Sequence, residues 1–233
     1  GMGKFVDFFR DRVLNWQNSL GGIEDVLKVW VIVSRGWASL ESIFLASVDI
    51  RSQLPEATKV FEGVDGEFKE LMKDAVLEPN VLAVCSVDGR LEVLQTMQVR
   101  LESCQKALNE YLDQKKKIFP RFYFVSNVAL LDMLANGTNP PKIMKYIGDC
   151  YDSLNFLTLV KDEKGVENPK LANGMIAKDG EEVALYEEFA LEGEIERYLN
   201  GLTEAMRYTL RDRMRDGYAA AANWEVDKPR HLW

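Results

Sequence analysis

The sequence predicts a mainly α protein made of elongated multi-helix bundle subdomains with one small β-hairpin. Apolar residues recur every three to four positions along most of the chain, and one stretch keeps a seven-residue repeat. A single Asp-Gly turn lies between two short apolar runs. With 233 residues, 47% of them hydrophobic, the chain can bury a substantial core. We expect two subdomains, residues 1–118 and residues 119–233, the second truncated at its C-terminal end.

The N-terminal part carries two apolar helical stripes. The first covers residues 5–20, and Gly21-Gly22 is expected to end that helix. The second runs up to residues 49–55, where a proline disfavours helical backbone at the preceding residue. The tryptophans that fall on these stripes, which we expect in the core more than in a ligand groove, are Trp16, Trp30 and Trp37.

A third helix should begin at Pro55, a residue suited to the first helical turn. Gly63 and Gly66 each weaken it by about 1 kcal/mol relative to alanine. The sequence therefore predicts a kink or short break near Asp65, and it makes both glycines candidate hinges.

The most regular periodicity in the chain covers residues 94–111. Its heptad positions are Leu94, Leu101 and Leu108 on one set, and Met97, Cys104 and Tyr111 on the other. The repeat is shorter than the three to four heptads of an independent coiled coil, so it favours a helix packed lengthwise inside a bundle. Lys115-Lys116-Lys117 closes this helix, where cations interact favourably with the dipole.

An aromatic segment, IFPRFYFVS, follows at residues 118–126. Its proline disfavours continued helix and predicts an extended link, with Pro120 as a third candidate hinge. The segment either joins two subdomains or presents a docking surface, and we favour the junction. The candidate residues for these two roles are Phe119, Pro120, Arg121, Phe122, Tyr123 and Phe124.

Beyond this segment, Ser126 is expected to cap a helix that ends at Asn136-Gly137, and Pro140-Pro141 to open another. Residues 161–173 are polar and loop-like, and the β-hairpin is predicted at residues 174–186 around Asp179-Gly180. An amphipathic helix then starts near Ile195 and continues into an alanine-rich run.

The sequence offers no recognisable chemistry. There is no glycine-rich phosphate loop, and the single histidine, His231, cannot build a triad or a two-histidine metal site. Cys85, Cys104 and Cys150 lie too far apart for a paired ligand spacing. We therefore predict no catalytic, cofactor-binding or metal residues and no cofactor in this fragment.

Charge and hydropathy also limit the partners we expect. The net charge is −8 with basic residues scattered among acids, which argues against nucleic acid. The sequence shows no uninterrupted apolar run of about 20 residues and no signal peptide. We therefore expect an intracellular setting and no membrane partner. We expect Gly1-Met2-Gly3 to be a tag remnant and the chain to be a fragment.

Three segments resemble the linker region (N-terminal region 2) of dynein heavy chains. The most specific segment covers residues 104–134, CQKALNEYLDQKKKIFPRFYFVSNVALLDML. It reproduces, in order and spacing, that family's helix, its Phe-Pro-Arg-Phe-Tyr-Phe motif and the leucine-rich helix that follows. The family segment before this one is similar to residues 37–72, WASLESIFLASVDIRSQLPEATKVFEGVDGEFKELM. The family segment after it is similar to residues 174–183, GMIAKDGEEV. Ala177 and Tyr198 depart from the family pattern, at positions without a catalytic role. DIRSQLPE looks more like axonemal than cytoplasmic members.

The resemblance implies a mechanical linker that arches over the AAA+ ring of the same heavy chain and changes angle as ATP is hydrolysed there. It implies microtubule-based movement in a cilium or flagellum, with other dynein subunits as indirect partners. The fragment itself would not be an enzyme, whereas the parent motor is an ATPase. Two alternatives stay open: a spectrin-like helical scaffold or adaptor that binds a protein partner, and an unrecognised helical enzyme that uses acidic residues.

Overall fold

A computed structural model describes residue 3, residues 6–224 and residues 227–229. The chain divides into two compact units, Gly1–Tyr111 and Leu112–Trp233. The division falls inside a long helix, a few residues before the boundary at residue 118 that the sequence led us to expect. Each unit is described separately below.

The described residues of the first unit form helices joined by short turns, and none of them forms a strand. Its elements are α1 (Val6–Glu41), a π-helical turn (Ser42–Ala46), α2 (Val48–Gln53), α3 (Pro55–Leu77), α4 (Val81–Cys85) and α5, which runs from Arg90 to Ile118. Side-chain hydrogen bonds cap the starts of α2 and α4, and a glycine with positive φ forms the turn before α5. Ser47 Oγ accepts the amide of Ile50 at the start of α2, and Asn80 Oδ1 accepts the amide of Leu82 at the start of α4. Gly89 has φ = 76° in the turn before α5.

The heptad prediction is confirmed. All six predicted positions of α5 are buried: Leu94, Met97, Leu101, Cys104, Leu108 and Tyr111. Gly36 of α1 lies against this row, since a Cβ placed on it would meet Leu101 Cδ1 at 3.4 Å. Phe44 and Phe61 stack near the same core with ring centroids 5.4 Å apart. The first unit is therefore held mainly by apolar stripes of long helices.

Two predicted helix breaks are wrong. α1 continues through Gly21-Gly22, and α3 continues through Gly63 and Gly66 without interruption at Asp65. A glycine costs about 1 kcal/mol in a helix interior, and the remaining hydrogen bonds of a 36-residue or 23-residue helix outweigh that cost.

The tryptophans are less buried than expected. Trp16 is exposed, so its predicted place in the core is wrong, and Trp30 and Trp37 are half-buried. Trp37 packs on Phe68 with ring centroids 5.1 Å apart, and its Nε1 donates to Asp65 Oδ1 at 2.9 Å. Periodicity places a residue on a stripe but does not tell whether a partner covers that part of the stripe.

One described helical segment, Asp7–Ala46, is long and apolar enough to cross a membrane by length and composition. The sequence expectation concerned an uninterrupted apolar run, and charged residues such as Lys28 and Arg35 interrupt this segment. Buried positions in this segment recur at helical spacing, at Ile23, Val26, Val33 and Leu40. That one-sided pattern is typical of a helix with one face packed on a protein core, and 17% of the apolar window is buried.

The second unit begins within α5 and combines short helices, a sheet and one long helix. After α5 come a 3₁₀ turn (Pro120–Phe124), α6 (Asn127–Ala135), α7 (Pro140–Ile143), a 3₁₀ turn (Met144–Tyr146) and α8 (Ile147–Cys150). Strands β1 (Leu154–Lys161), β2 (Glu167–Ala177) and β3 (Glu182–Ala190) follow, and then α9 (Ile195–Ala220) and a final 3₁₀ turn (Ala221–Asn223). Ser126 caps α6 as predicted, because its Oγ accepts the amide of Ala129 at 3.2 Å.

The sheet is larger than the predicted hairpin at 174–186. Its three antiparallel strands lie in the order β1-β2-β3. The β2–β3 turn at Gly180 is the one predicted. The loop predicted at residues 161–173 is wrong for the first half of β2, and no strand was predicted at β1. Bulges in both strand pairings interrupt the alternation that identifies a strand in a sequence.

The helix predicted to open at Pro140-Pro141 is broken into α7, the 3₁₀ turn and α8. Its apolar positions Ile143 and Ile147 are nevertheless buried. A 3₁₀ helix has three residues per turn and an α-helix has 3.6, so both bury nearly the same side chains over one or two turns. The spacing of the apolar residues therefore did not distinguish the two kinds of helix. The final helix was predicted correctly, and α9 buries Ile195, Tyr198, Leu199 and Leu202.

Candidate functional site

The aromatic segment is a turn and not the extended link predicted for it. Pro120 restricts the backbone of Phe119 to φ −124°, ψ 92°, which ends α5. The amide of Phe122 then donates to the carbonyl of Phe119 at 3.0 Å, and the amide of Val125 to that of Phe122 at 3.2 Å. These bonds define a 3₁₀ turn, so successive side chains of the segment point in different directions.

Half of the candidate residues form the inner side of this turn. Phe119 and Phe122 are buried and meet edge to face, with ring centroids 4.9 Å apart and planes at 80°. Phe119 also lies near Tyr151, at a centroid distance of 6.4 Å. The inner side therefore belongs to the core of the second unit.

Arg121 ties the turn to the segment between α8 and β1. Its Nη1 donates to the carbonyl of Cys150 at 3.1 Å, and its guanidinium carbon lies 4.8 Å from the ring centroid of Tyr151. The Tyr151 hydroxyl in turn lies 2.7 Å from Thr203 Oγ1 of α9. Burial raises the pKa of Tyr151 to about 12, so its hydroxyl stays protonated at neutral pH.

The other half of the candidates face solvent. Pro120 is exposed, and Tyr123 and Phe124 are 60% and 74% exposed. Lys116 of α5 extends over this outer side: its Nζ lies 5.6 Å from the Tyr123 ring centroid and donates to Asn127 Oδ1 at 2.8 Å. The turn lies within the second unit, and the junction and docking roles that the sequence left as alternatives both stay predictions.

The end of α5 is held by a pair of contacts to α9 that we call the α5–α9 clamp. Lys115 forms an ion pair with Glu196, a carboxylate that is only 1% exposed. Asn200 Nδ2 donates to the carbonyl of Ile118 at 2.8 Å, satisfying a group that the helix end leaves unpaired. The sequence did not indicate this clamp, because Lys115 and Glu196 are 81 positions apart.

The glycine hinge candidates lie in α3, in the first unit. A Cβ on Gly63 would come within 2.5 Å of Arg100 Nη2, whereas the corresponding position at Gly66 has open space around it. Arg100 of α5 passes over Gly63 and binds both carboxylate oxygens of Glu67, at 2.7 and 2.8 Å. A side chain at Gly63 would therefore displace the end of the Arg100 side chain.

Chemically, the turn and the clamp can hold helices and offer a surface. The described residues contain no group of three or more His, Cys, Asp or Glu side chains that could hold a metal ion. Burial raises the pKa of the Cys150 thiol to about 12, which keeps it in the unreactive protonated form. His231, the only histidine, lies outside the described residues.

Comparison with known proteins identifies the family. The family model described as dynein heavy chain, N-terminal region 2, matches residues 2–217. The dynein beta chain of the flagellar outer arm of Chlamydomonas reinhardtii is 44% identical over 202 residues, which cover 87% of this chain and 4% of that protein. Dynein axonemal heavy chain 9 of Homo sapiens is 41% identical over 232 residues, 100% of this chain and 5% of that protein.

The ciliary dynein beta chain of Tripneustes gratilla is 40% identical over 230 residues, 99% of this chain and 5% of that protein. The chain thus spans about one twentieth of the length of these relatives. Both the family model and these relatives agree with the resemblance found at the aromatic turn. This chain belongs to the dynein heavy chain family, within its N-terminal region 2.

Proposed function

We propose that this chain is a segment of the mechanical linker of an axonemal dynein heavy chain, and that it changes angle over the AAA+ ring during the ATP cycle. The relatives are named as axonemal, ciliary or flagellar, which supports a place in a ciliary or flagellar motor that moves on microtubules. In this proposal the ring of the same heavy chain is the direct partner, and other dynein subunits are indirect ones.

The observation that carries the proposal is the α5–α9 clamp. A helix transmits force to the next element only if its end is fixed to that element. A frayed last turn would unfold or bend under load and would not pass the force on. α5 contributes residues to both units, and its C-terminal turn is held by a buried ion pair and a hydrogen bond to the backbone. Breaking a buried pair costs about 3–5 kcal/mol, several times an exposed one.

Glu196→Gln in the heavy chain that carries this sequence tests the proposal. The variant keeps the side-chain shape and removes the charge that holds Lys115. We expect slower microtubule gliding at an unchanged ATPase rate per motor, because hydrolysis continues while less of the movement is transmitted. Gliding speed and microtubule-stimulated ATPase should be measured on the same preparation.

Two further variants control for unfolding. Glu204→Gln removes an exposed carboxylate of α9 whose partner is Arg207 on the same helix, and should leave gliding unchanged. Lys115→Met with Glu196→Leu replaces the buried pair by apolar packing and should restore speed. If Glu196→Gln glides at the parent speed, the clamp does not transmit force.

Hydrolysis is assigned to the ring, and this segment is proposed to have no activity of its own and to need no cofactor. The purified 233-residue chain should therefore release no phosphate from ATP above background. A spectrin-like scaffold or adaptor remains the alternative function. It differs in that a scaffold keeps its affinity for a partner protein when the ring is removed.

The hinge position is part of the same proposal. Of the two glycines, Gly66 is the stronger candidate, because the end of the Arg100 side chain lies over Gly63. Pro120 stays a candidate beside it. Hydrogen exchange in the motor, compared between ATP and ADP states, should differ at the residue that bends. Equal protection around Pro120 in both states would remove it as a hinge.

A further inference from the structure

The first turns of α1 carry an apolar row that no described residue covers. Its members recur at intervals of four, three and four positions, and we call them the α1 row: Phe9, Val13, Trp16 and Leu20. All four line one surface cavity, so they lie on the same side of the helix. Each is exposed, from 36% at Val13 to 57% at Leu20, as are all residues from 7 to 22. The row therefore differs from the scattered single apolar residues that protein surfaces usually show.

The same spacing continues into the core of the first unit. Ile23 follows three positions after Leu20 and is buried, and Leu27 and Trp30 continue the series. Leu27 and Trp30 line a cavity together with Cys85 of α4, a helix that α1 contacts. An unchanged three-and-four spacing keeps one side of a helix facing its partner. The side that α4 borders further along α1 is thus the side that the α1 row leaves open, and the row suits a helix as well.

The charges on these first turns argue against a lipid surface as the occupant. A helix that lies in a membrane interface carries an excess of lysine and arginine on its polar side. Here the two basic residues, Arg10 and Arg12, are balanced by two acidic ones, Asp7 and Asp11. Arg10 Nη2 also binds Asp7 Oδ1 at 2.7 Å. The row therefore suits a protein segment better than an anionic membrane.

The size of the row distinguishes a separate molecule from the same polypeptide. A large apolar side chain that is about half exposed offers roughly 100 Å² for burial. Two helices joined through such a row would bury about 800 Å² in total, less than the about 1,200 Å² at which stable interfaces between separate proteins begin. A segment of the same polypeptide needs less area, because its tether raises its effective concentration. This chain covers 5% of each of two relatives, so most of such a polypeptide lies outside it.

We propose that the α1 row packs against a helix of the same heavy chain that lies outside these 233 residues. That helix presents apolar side chains at three-and-four spacing and extends the packing of α1 towards its first turns. The inference rests on membership of the dynein heavy chain family and not on the lever role, because a heavy chain with a static linker would use the same contact.

Photo-cross-linking in the intact heavy chain identifies what covers the row. Trp16→p-benzoylphenylalanine keeps a large aromatic side chain on the row. The matched control places the same photoreactive residue at Asn18, which is exposed on the opposite side of the same turns. We expect position 16 to link to a peptide of the same polypeptide whose apolar residues are spaced three and four apart, and position 18 to give at most a tenth of that yield. A mixture of isotopically labelled and unlabelled heavy chains shows whether the link lies within one polypeptide.

Amide hydrogen exchange then measures whether the contact stabilises the helix. Leu20→Asn removes an apolar side chain from the row. Leu14→Asn is the matched control, because Leu14 is 47% exposed on the same helix and does not line the cavity of the row. Both substitutions lower helix propensity equally, so the difference between them reports the packing. We expect exchange over residues 7–22 of the intact heavy chain to be about tenfold faster in Leu20→Asn than in Leu14→Asn.

Several results would overturn the proposal. A link between labelled and unlabelled chains would make the occupant a second copy, and a link to lipid or to a different polypeptide would make it a separate partner. A linked peptide without the apolar spacing would not be the proposed helix. Equal yields at positions 16 and 18, or equal exchange in the two asparagine variants, would mean that nothing packs on the row. Circular dichroism of each variant excludes unfolding, and none of these measurements depends on gliding speed, so the lever role is tested separately.

Discussion

The two units of this chain are stabilised in different ways. The first buries apolar stripes of long helices, with Leu94, Met97 and Leu101 of α5 at its centre, and most of its ion pairs are exposed. Among the described residues the first unit buries one polar side chain, Thr58, whose hydroxyl donates to the nearby carbonyl of Leu54, whereas the second unit buries Glu196 and Thr209 of α9. These groups bind the end of α5 and the backbone of β3.

This difference bears on mechanics. Apolar packing tolerates small sliding between helices, because its free energy changes gradually with the area that is buried. A buried ion pair or hydrogen bond is directional, and breaking it leaves an unpaired buried group. We therefore expect the second unit to respond to single polar substitutions and the first unit to losses of volume.

The largest effect is expected at the clamp. Glu196→Ala should lower the free energy of unfolding of the second unit by about 4 kcal/mol, because the nearly buried Lys115 loses its counter-charge. Urea unfolding of the 233-residue chain measures it. Glu204→Ala, at an exposed pair, should cost below about 1 kcal/mol. If the two variants lose the same free energy of unfolding, the buried ion pair does not stabilise this unit more than an exposed one does.

Core volume in the first unit comes next. Leu94→Ala should lower the free energy of unfolding by about 3 kcal/mol, through lost burial and the cavity that remains. Val99→Ala on the exposed side of the same helix is the control and should change it by no more than about 0.5 kcal/mol. A loss at Leu94 as small as that at Val99 would mean that the heptad row contributes little.

A smaller effect is expected where α9 meets β3. Thr209 Oγ1 accepts the amide of Tyr186 at 3.1 Å and is nearly fully buried. Thr209→Val keeps the shape but leaves that amide unpaired, at a cost of about 2 kcal/mol in the free energy of unfolding. Thr96→Val is the control, because its hydroxyl is exposed and binds only its own helix. Faster amide exchange at Tyr186 in the variant would locate the effect.

The smallest effect depends on pH. The hydroxyl of Tyr146, which donates to Asp132 at 2.6 Å, and next the Lys145 ammonium lower the pKa of Asp132. A lowered pKa stabilises the fold above the unfolded value of about 4, and this stabilisation is lost as the pH falls through the folded value. Asp132→Asn should therefore lose less stability between neutral and acid pH than the parent chain. The carboxylate is partly exposed, so we expect only a few tenths of a kcal/mol.

The measurement for Asp132 is urea unfolding at a series of pH values. Asp11→Asn, at an exposed position of α1, is the control. A parent chain and an Asp132→Asn variant with the same pH dependence would mean that these hydrogen bonds do not favour the ionised form.

Most helices of both units and the family could be predicted from the sequence. Helical periodicity is local, so the heptad row of α5, the stripe of α9 and the cap at Ser126 follow from residues close to one another in the chain. The Phe-Pro-Arg-Phe-Tyr-Phe motif was sufficient to recognise the dynein heavy chain region. The same motif marked residues 119–124 as candidates for a junction or a docking surface, and both roles stay predictions.

Only the tertiary structure decided which of those residues face the core and which face solvent. A five-residue 3₁₀ turn is too short for a repeating apolar pattern to show in the sequence which side is buried. It also decided that Lys115 meets Glu196 and that β1 pairs with β2. These outcomes depend on groups far apart in the chain, and the free energy of each contact exists only once the packing has brought them together.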